Sequence, residues 1–255
     1  MNCAAVLAAY DAQVRRNPNP GAQGRIERED GIVRVLGDGW AGVTWSDLEE
    51  AGADDAIAAQ IERFAGLGVE WEWKHYSYDR PADLPARLRA AGLRAGPTEA
   101  LLIAETGALS HETQPPEGVE LAALSDREGV RSMLLLQREV FGDEPPGLEA
   151  AMLDGLAHEP VGTTGLLAFA AGRPVAAGRV EFDPGSDFAG MWGGCTHPDW
   201  RGRGIFRALV AHGAGLAAAR GYRWLHVDAA DMSRPTLLRL GFTEVAKTTP
   251  YLYSP

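Results

Sequence analysis

The sequence predicts an α/β chain in which β-prone runs and helices alternate from end to end. Three observations predict it. A β-rich run over 188–196 stops at His197-Pro198, passes through a basic, Gly-containing loop and enters a helix at once. Two apolar runs, 165–171 and 174–182, flank Gly172-Arg173 in the manner of a hairpin. A unit of strand, acidic turn, Arg-Pro step, helix and Gly-apolar pair occurs twice, through Arg80-Pro81 to Gly92-Leu93 and through Arg234-Pro235 to Gly241-Phe242.

Taken in order, residues 3–16 form an N-terminal helix, 25–45 are β-prone, 54–67 read as a helix and 70–76 as a strand. A helix over 83–91 ends at Gly92, and 98–104 is again a strand. The polar, Pro-rich stretch 113–118 is the expected linker, dividing the chain into domains at 1–112 and 119–255. Beyond it, 118–124 is a strand, and Ser125-Asp126 caps a helix to about Phe141 with Val130, Met133, Leu134, Gln137 and Phe141 on one side. Pro145-Pro146-Gly147 breaks the chain before a helical stretch at 148–156. After the hairpin and the 188–196 strand, Ile205, Leu209 and Leu216 fall at helical spacing in a helix over 202–220, which Gly221 stops. A buried strand at 222–227 follows. Asp231 or Ser233 caps a last helix to Leu240, and 243–253 is β-prone.

The loop between the 188–196 strand and its helix carries the chemistry. A helix N-terminus presents unpaired N–H groups and the positive end of the helix dipole. Glycines let that backbone approach a ligand, while Arg201 and Arg203 add charge and donors. This combination calls for an anion, with phosphate or pyrophosphate the best fit. A P-loop is excluded because no Gly-Lys-Ser/Thr follows, and a dinucleotide fingerprint fails at its third glycine, where Arg207 stands. The pattern R-x-x-G-x-(G/A) matches at Arg201 and Gly204, with Phe206 in the last position. On these residues the chain resembles the GNAT superfamily of N-acetyltransferases.

The resemblance implies a mixed, mostly antiparallel central sheet flanked by helices, and two such domains in tandem. It implies acetyl-CoA as co-substrate, its pyrophosphate held by Arg201, Gly202, Arg203, Gly204, Ile205 and Phe206, with the bulky Phe206 side chain turned away from the diphosphate. It also implies a backbone N–H near Gly194, Cys195 and Thr196 that stabilises the oxyanion. The front half lacks the motif: an acidic stretch, 45–50, stands at the equivalent place and would repel a pyrophosphate. That half is expected to be a degenerate copy without a cofactor loop.

Acetyl transfer from a thioester to an amine needs a neutral amine, so a carboxylate or a water-linked base is expected. Glu181, late on the strand of the hairpin, ranks first if its neighbours bury it and raise its pKa. Asp228 ranks second and His226 third. The tyrosine acid found in many superfamily members is replaced by Leu237, leaving Ser233 or water. His197 is expected as a loop contact and Trp192 as core or as a wall of the acceptor site. Direct transfer needs no nucleophile, so Cys195 is expected to be a small strand residue.

Composition narrows the classes. The chain has 24 Lys and Arg against 35 Asp and Glu, a net charge of −11, which provides no footprint for nucleic acid. Such a surface suits cationic, amine-bearing small molecules as well as plain solubility. No apolar run is long enough to span a bilayer and no leader resembles a signal peptide, so a cytoplasmic protein without a membrane partner is expected. Two cysteines are too few for a disulfide framework or a zinc cluster, and no metal is expected. The expected function is acetyl-CoA-dependent N-acetyltransfer to a small primary amine by direct attack. The alternative is a non-catalytic acyl-CoA-binding or regulatory module, and a nicotinamide-dependent oxidoreductase stands as a remote third.

Overall fold

The computed structural model describes residues 1–21, 24–37, 40–142, 147–157 and 162–254. The break expected at Pro145-Pro146 lies outside them. In chain order the elements are α1 (Cys3–Tyr10), β1 (Arg25–Glu29), β2 (Ile32–Leu36), β3 (Ala41–Ser46), α2 (Ala53–Ala65), β4 (Trp71–Tyr76), α3 (Leu84–Ala90), β5 (Arg94–Ala95) and β6 (Glu99–Glu105). There follow β7 (Val119–Ala123), α4 (Arg127–Phe141), α5 (Leu148–Ala157), β8 (Thr163–Ala170), β9 (Arg173–Phe182), β10 (Phe188–Thr196), α6 (Ile205–Ala219), β11 (Trp224–Ala229), α7 (Arg234–Arg239) and β12 (Thr243–Tyr253). Among the described residues no helix is long and apolar enough to cross a membrane.

The chain packs as two units. One is Met1–Leu101 with Asp228–Arg234 and Glu244–Pro255; the other is Leu102–Val227 with Pro235–Thr243. These are not the continuous stretches 1–112 and 119–255 read from the Pro-rich linker. The physical reason is that strand pairing, and not linker composition, assigns β12: it lies antiparallel on β4 from Thr248↔Tyr76 to Tyr253↔Trp71.

In the first unit β1, β2 and β3 form an antiparallel meander, and β3 pairs parallel with β4 through the α2 crossover. Its core gathers Ile57 and Phe64 of α2, Leu84 and Leu88 of α3, and Trp71 and Trp73 of β4. Phe64 stacks on Trp71 with ring centroids 4.4 Å apart. The N-terminal helix runs nearly its expected length, as α-helix over Cys3–Tyr10 and as a π-helical turn over Asp11–Arg15.

In the second unit β7, β8, β9 and β10 are antiparallel neighbours, and β10 pairs parallel with β11 through the α6 crossover. Asp126 caps α4 by accepting from Gly129 N at 2.8 Å, as the sequence predicts. Such a cap contributes about 1 kcal/mol. The buried face of α4, Val130, Met133, Leu134 and Leu136, packs with Leu167, Ala177 and Cys195 of the sheet.

The repeated unit seen in the sequence has a structural counterpart. Both copies run strand, crossover helix, parallel strand and short helix. Both short helices end alike: Leu93 N donates to Leu88 O at 3.0 Å, and Phe242 N to Leu237 O at 3.2 Å, after Gly92 and Gly241 at positive φ.

Candidate functional site

The site is built on β10 and the turn into α6. On one edge β10 pairs with β9, but the register shifts between Trp192 and Cys195, leaving Gly193 and Gly194 as a bulge. On the other edge its parallel ladder with β11 runs only from Phe188↔Trp224 to Gly190↔His226, while β10 continues to Thr196. The strand thus leaves its neighbour after three of its nine residues. Gly193 adopts φ +60°, and a Cβ there would fall 2.3 Å from Gln137 Nε2, so any other residue would be strained and would displace that amide. Gln137, buried on α4, donates to Gly193 O at 2.7 Å and holds the bulge in place.

After β10 the chain makes a single 3-10 turn, Pro198–Trp200. His197 sets that turn: its Nδ1 accepts from Asp199 N at 3.3 Å and its Nε2 lies 3.2 Å from Glu139. This is the loop contact expected of it. Arg201 folds back so that Nε donates to Thr196 O at 3.1 Å, and Arg203 donates to Asp199 O while its guanidinium covers the Trp200 ring at 4.6 Å. Gly204, at φ +87°, is the N-cap and offers no side chain to the helix end. Helix α6 therefore starts at Ile205 and not at Gly202, because the left-handed Gly202 and Gly204 cannot belong to it.

The first helical bond runs from Ala208 N to Gly204 O at 3.1 Å, and the N–H groups of residues 202–207 take no backbone partner among the described residues. The first turn of α6 contains no acidic residue. Arg201, Arg203 and Arg207 are exposed around it. Unpaired amides, the dipole's positive end and three guanidinium groups make an anion cradle suited to a diphosphate.

Phe206 lies where the motif has a small residue. A Cβ built on Gly194 would sit 3.0 Å from Phe206 Cε2, so its ring lies against the Gly194 backbone. Cys195 faces the core beneath α4, and burial pushes its thiol up to about 11. It is the small strand residue the sequence suggested. Thr196 Oγ1 is buried without a hydrogen-bond partner.

The carboxylates are placed less uniformly. Glu181 sits on β9 opposite Gly190, the last β10 residue in the β11 ladder. The burial expected for it is not found: its side chain is 37% exposed and it accepts from Arg179 Nε at 2.6 Å. Phe182 turns inward beside it, and the pleat therefore turns Glu181 away from the core. Asp228 and Ser233 belong to the first unit. The Asp228 side chain is 2% exposed and pairs with Lys74. Ser233 does not cap α7; its hydroxyl donates to Ala230 O at 3.1 Å within the preceding turn. His226 is buried, with its ring edge-on to Trp192 at 5.6 Å. Leu237 is 1% exposed, a core side chain. Sequence reasoning missed the roles of Gln137 and Arg179. A glutamine amid the apolar face of α4 was the available signal for the first.

A bulged strand that leaves its parallel neighbour thus runs into a basic helix start suited to a phosphate-bearing ligand. Residues 129–242 match the model of the Acetyltransferase (GNAT) family. The fold of the chain is similar to that of a GCN5-related N-acetyltransferase from Kribbella flavida (20% identity, TM-score 0.69, covering 99% of this chain and 94% of that one). It is also similar to a tandem GNAT protein from the clavulanic acid biosynthesis pathway (14%, 0.61, 91% and 84%). A third is a GCN5-related N-acetyltransferase from Sphaerobacter thermophilus (14%, 0.62, 98% and 84%). No curated protein sequence matches the chain. At these identities the likeness establishes the fold, with its mixed, mostly antiparallel sheet and flanking helices.

Proposed function

We propose that the protein is a cytoplasmic, acetyl-CoA-dependent N-acetyltransferase that transfers an acetyl group to a primary amine of a small molecule by direct attack. The observation that carries this reading is the start of α6: free amides over residues 202–207 beside Arg201, Arg203 and Arg207. The match of residues 129–242 to the GNAT family model supports acyl transfer at such a turn.

In this reading the amides of 202–206 and the Arg201 guanidinium hold the diphosphate, and the β10 edge beyond Gly190 receives the pantetheine arm. A backbone N–H among Gly194, Cys195 and Thr196 faces the developing oxyanion. An alkyl amine with a pKa of about 10.4 must lose a proton before attack. Glu181 takes it through water, since its carboxylate is already engaged by Arg179. Asp228 stands second as base. With Leu237 in the acid's place, the coenzyme leaves as a thiolate, acceptable for a thiol of pKa about 8.5, or is protonated by Ser233 or water. Holding donor and acceptor together supplies much of the rate.

Thiol release from acetyl-CoA, measured against a panel of amines and amino acids, tests this reading. Turnover with any acceptor is expected. The ring of Phe206 on Gly194 and the absent acid favour a second reading, a non-catalytic acyl-CoA-binding module. Saturable CoA binding without turnover on any acceptor would establish that one instead.

A further inference from the structure

One face of the β9–β10 ladder carries Arg179, Glu181 and Trp192, and the acyl-transfer reading uses only the carboxylate. Residues paired in register share a face of a sheet, so Glu181 lies beside Gly190 and Arg179 beside Trp192. A Cβ on Gly190 would fall 2.5 Å from Trp192 Nε1 and 3.0 Å from His226 Nε2, so the two rings cover that glycine. A Cβ on Gly193 would lie 3.1 Å from Arg179 Nη1, next to the Gln137 amide, so the guanidinium stands over the bulge. Arg201, Arg203 and Arg207 come after Thr196, past the end of the strand, and Arg179 is not one of the cradle's arginines.

The Arg179–Glu181 pair is incomplete. Arg179 Nε donates to Glu181 Oε1 at 2.6 Å. Nη1 and Nη2 take no hydrogen bond among the described residues, and the side chain, 16% exposed, leaves them reachable from solvent. Glu181 Oε2 likewise accepts none and is more open. A guanidinium so largely buried loses hydration that one hydrogen bond does not replace. A planar carboxylate fits its idle fork. The two open ends, a cationic fork and a carboxylate oxygen, lie one hydrogen bond apart. A ligand that answers both carries its own carboxylate and amine equally close together, on one carbon.

We propose, on the basis of the acyl-transfer reading, that the acceptor is an α-amino acid. Its carboxylate is bound by Nη1 and Nη2 of Arg179, and its amine faces Glu181 Oε2 through the water that carries its proton away. Trp192 forms the floor between them. The amine then sits where β10 parts from β11, beside the edge assigned to the pantetheine arm. Its nitrogen attacks the thioester carbon, the N–C bond forms as the C–S bond breaks, Glu181 receives the proton through water, and the coenzyme leaves as the thiolate.

Steady-state acetyl transfer to the common L-amino acids, and to the amine made from each by replacing the carboxylate with hydrogen, tests the assignment. At least one amino acid is expected to be acetylated with a kcat/KM about tenfold or more above that of its amine, as the loss of a charge-assisted contact implies. Arg179→Gln is expected to raise KM for that amino acid more than it lowers kcat, and to bring the two acceptors within about threefold of each other. Arg179→Lys, which keeps the charge and loses the fork, is expected to retain part of the preference. The comparison on the parent chain decides the matter even if a variant fails to fold. Amines that turn over as well as their amino acids, or a full preference in Arg179→Gln, overturn the inference and leave the acyl-transfer reading standing. No turnover with any acceptor overturns that reading and this inference with it.

Discussion

The chain enters a crossover helix twice from a bulged strand, and the two helix starts carry opposite charge. At α2 the turn contains Asp47, Glu49 and Glu50, and Asp54 and Asp55 occupy the first helical turn. Arg87 reaches two of these carboxylates, 3.0 Å from Asp54 and 4.0 Å from Glu50. The helix dipole there is answered by the chain's own acids. At α6 the first turn has no acid, the N-cap is a bare glycine, and three arginines surround free amides. Both helices start after a glycine N-cap, and the start is acidic in one place and basic in the other.

The strands before the two starts differ in the same sense. On β3 the register slips between Val33 and Arg34 of its partner, leaving Thr44 bulged. Arg15 Nε donates to Thr44 O at 3.1 Å, and the Thr44 hydroxyl donates to Arg15 O at 2.8 Å. That guanidinium is itself locked by Asp79 at 2.8 Å and covers the Tyr76 ring at 3.8 Å. The bulge of the first unit is plugged by a buried ion pair. At the bulge of β10 the neutral amide of Gln137 donates to Gly193 O, and the neighbouring Gly194 is exposed. The difference teaches that one supersecondary unit can present two faces: acids and a buried arginine in the first unit, free amides and an exposed glycine in the second.

The largest effect is expected from removing that plug. Arg15→Ala leaves Asp79 buried without its partner, a loss of about 3–5 kcal/mol. Chemical denaturation of the variant checks it. A change within 1 kcal/mol, roughly the worth of an exposed pair, would break the view that the first unit's bulge is filled structurally.

Next comes the anion cradle. Arg201→Ala with Gly204→Glu gives α6 an acidic start like that of α2. It removes a charge-assisted donor worth about 1.5–3 kcal/mol and sets a carboxylate against the diphosphate. The CoA dissociation constant is expected to rise about tenfold or more. Unchanged affinity by calorimetry refutes the loop assignment and with it the contrast between the two starts. A smaller gain is expected from Phe206→Ala, which restores the usual small residue and removes the ring from the Gly194 backbone. Binding of CoA, or turnover, should improve by about threefold, under 1 kcal/mol. A loss instead would assign the ring a binding role.

The alternation of elements, the hairpin at Gly172, the Asp126 cap and the basic loop were all legible in the sequence, because each rests on short-range rules of period, φ and capping. So was the repeat, since its signature lies in turn residues. The membership of β12 in the first unit was not legible, as nothing local records which edge a terminal strand will join. Glu181 was misjudged for a related reason: apolar neighbours in sequence alternate across a sheet, and Val180 and Phe182 turn inward while Glu181 and Arg179 turn out and pair. The bulge at Gly193 and Gly194 was anticipated from the paired glycines, but Gln137, its anchor, comes from a helix many residues upstream. Asp228 and Lys74 come together only through the pairing of distant strands.

The smallest effect sharpens what separates the two units. β10 carries a thiol beside its bulge, and if Cys195 were a nucleophile the contrast would be one of covalent chemistry and not of anion binding. Its position argues otherwise: it faces the core beneath α4 and burial pushes its thiol up to about 11. At pH 8 only about one thiol in a thousand would be ionised. Alkylation at that pH should modify the exposed Cys3 and spare Cys195, with labelling of Cys195 rising only as the pH approaches 11. Cys195→Ala should keep acetyl transfer within about threefold of the parent, because a direct attack needs no acyl-enzyme and the substitution only trims a small core side chain. Loss of turnover with CoA affinity intact would overturn direct transfer. Loss of both would mark a packing defect on the strand that positions the loop.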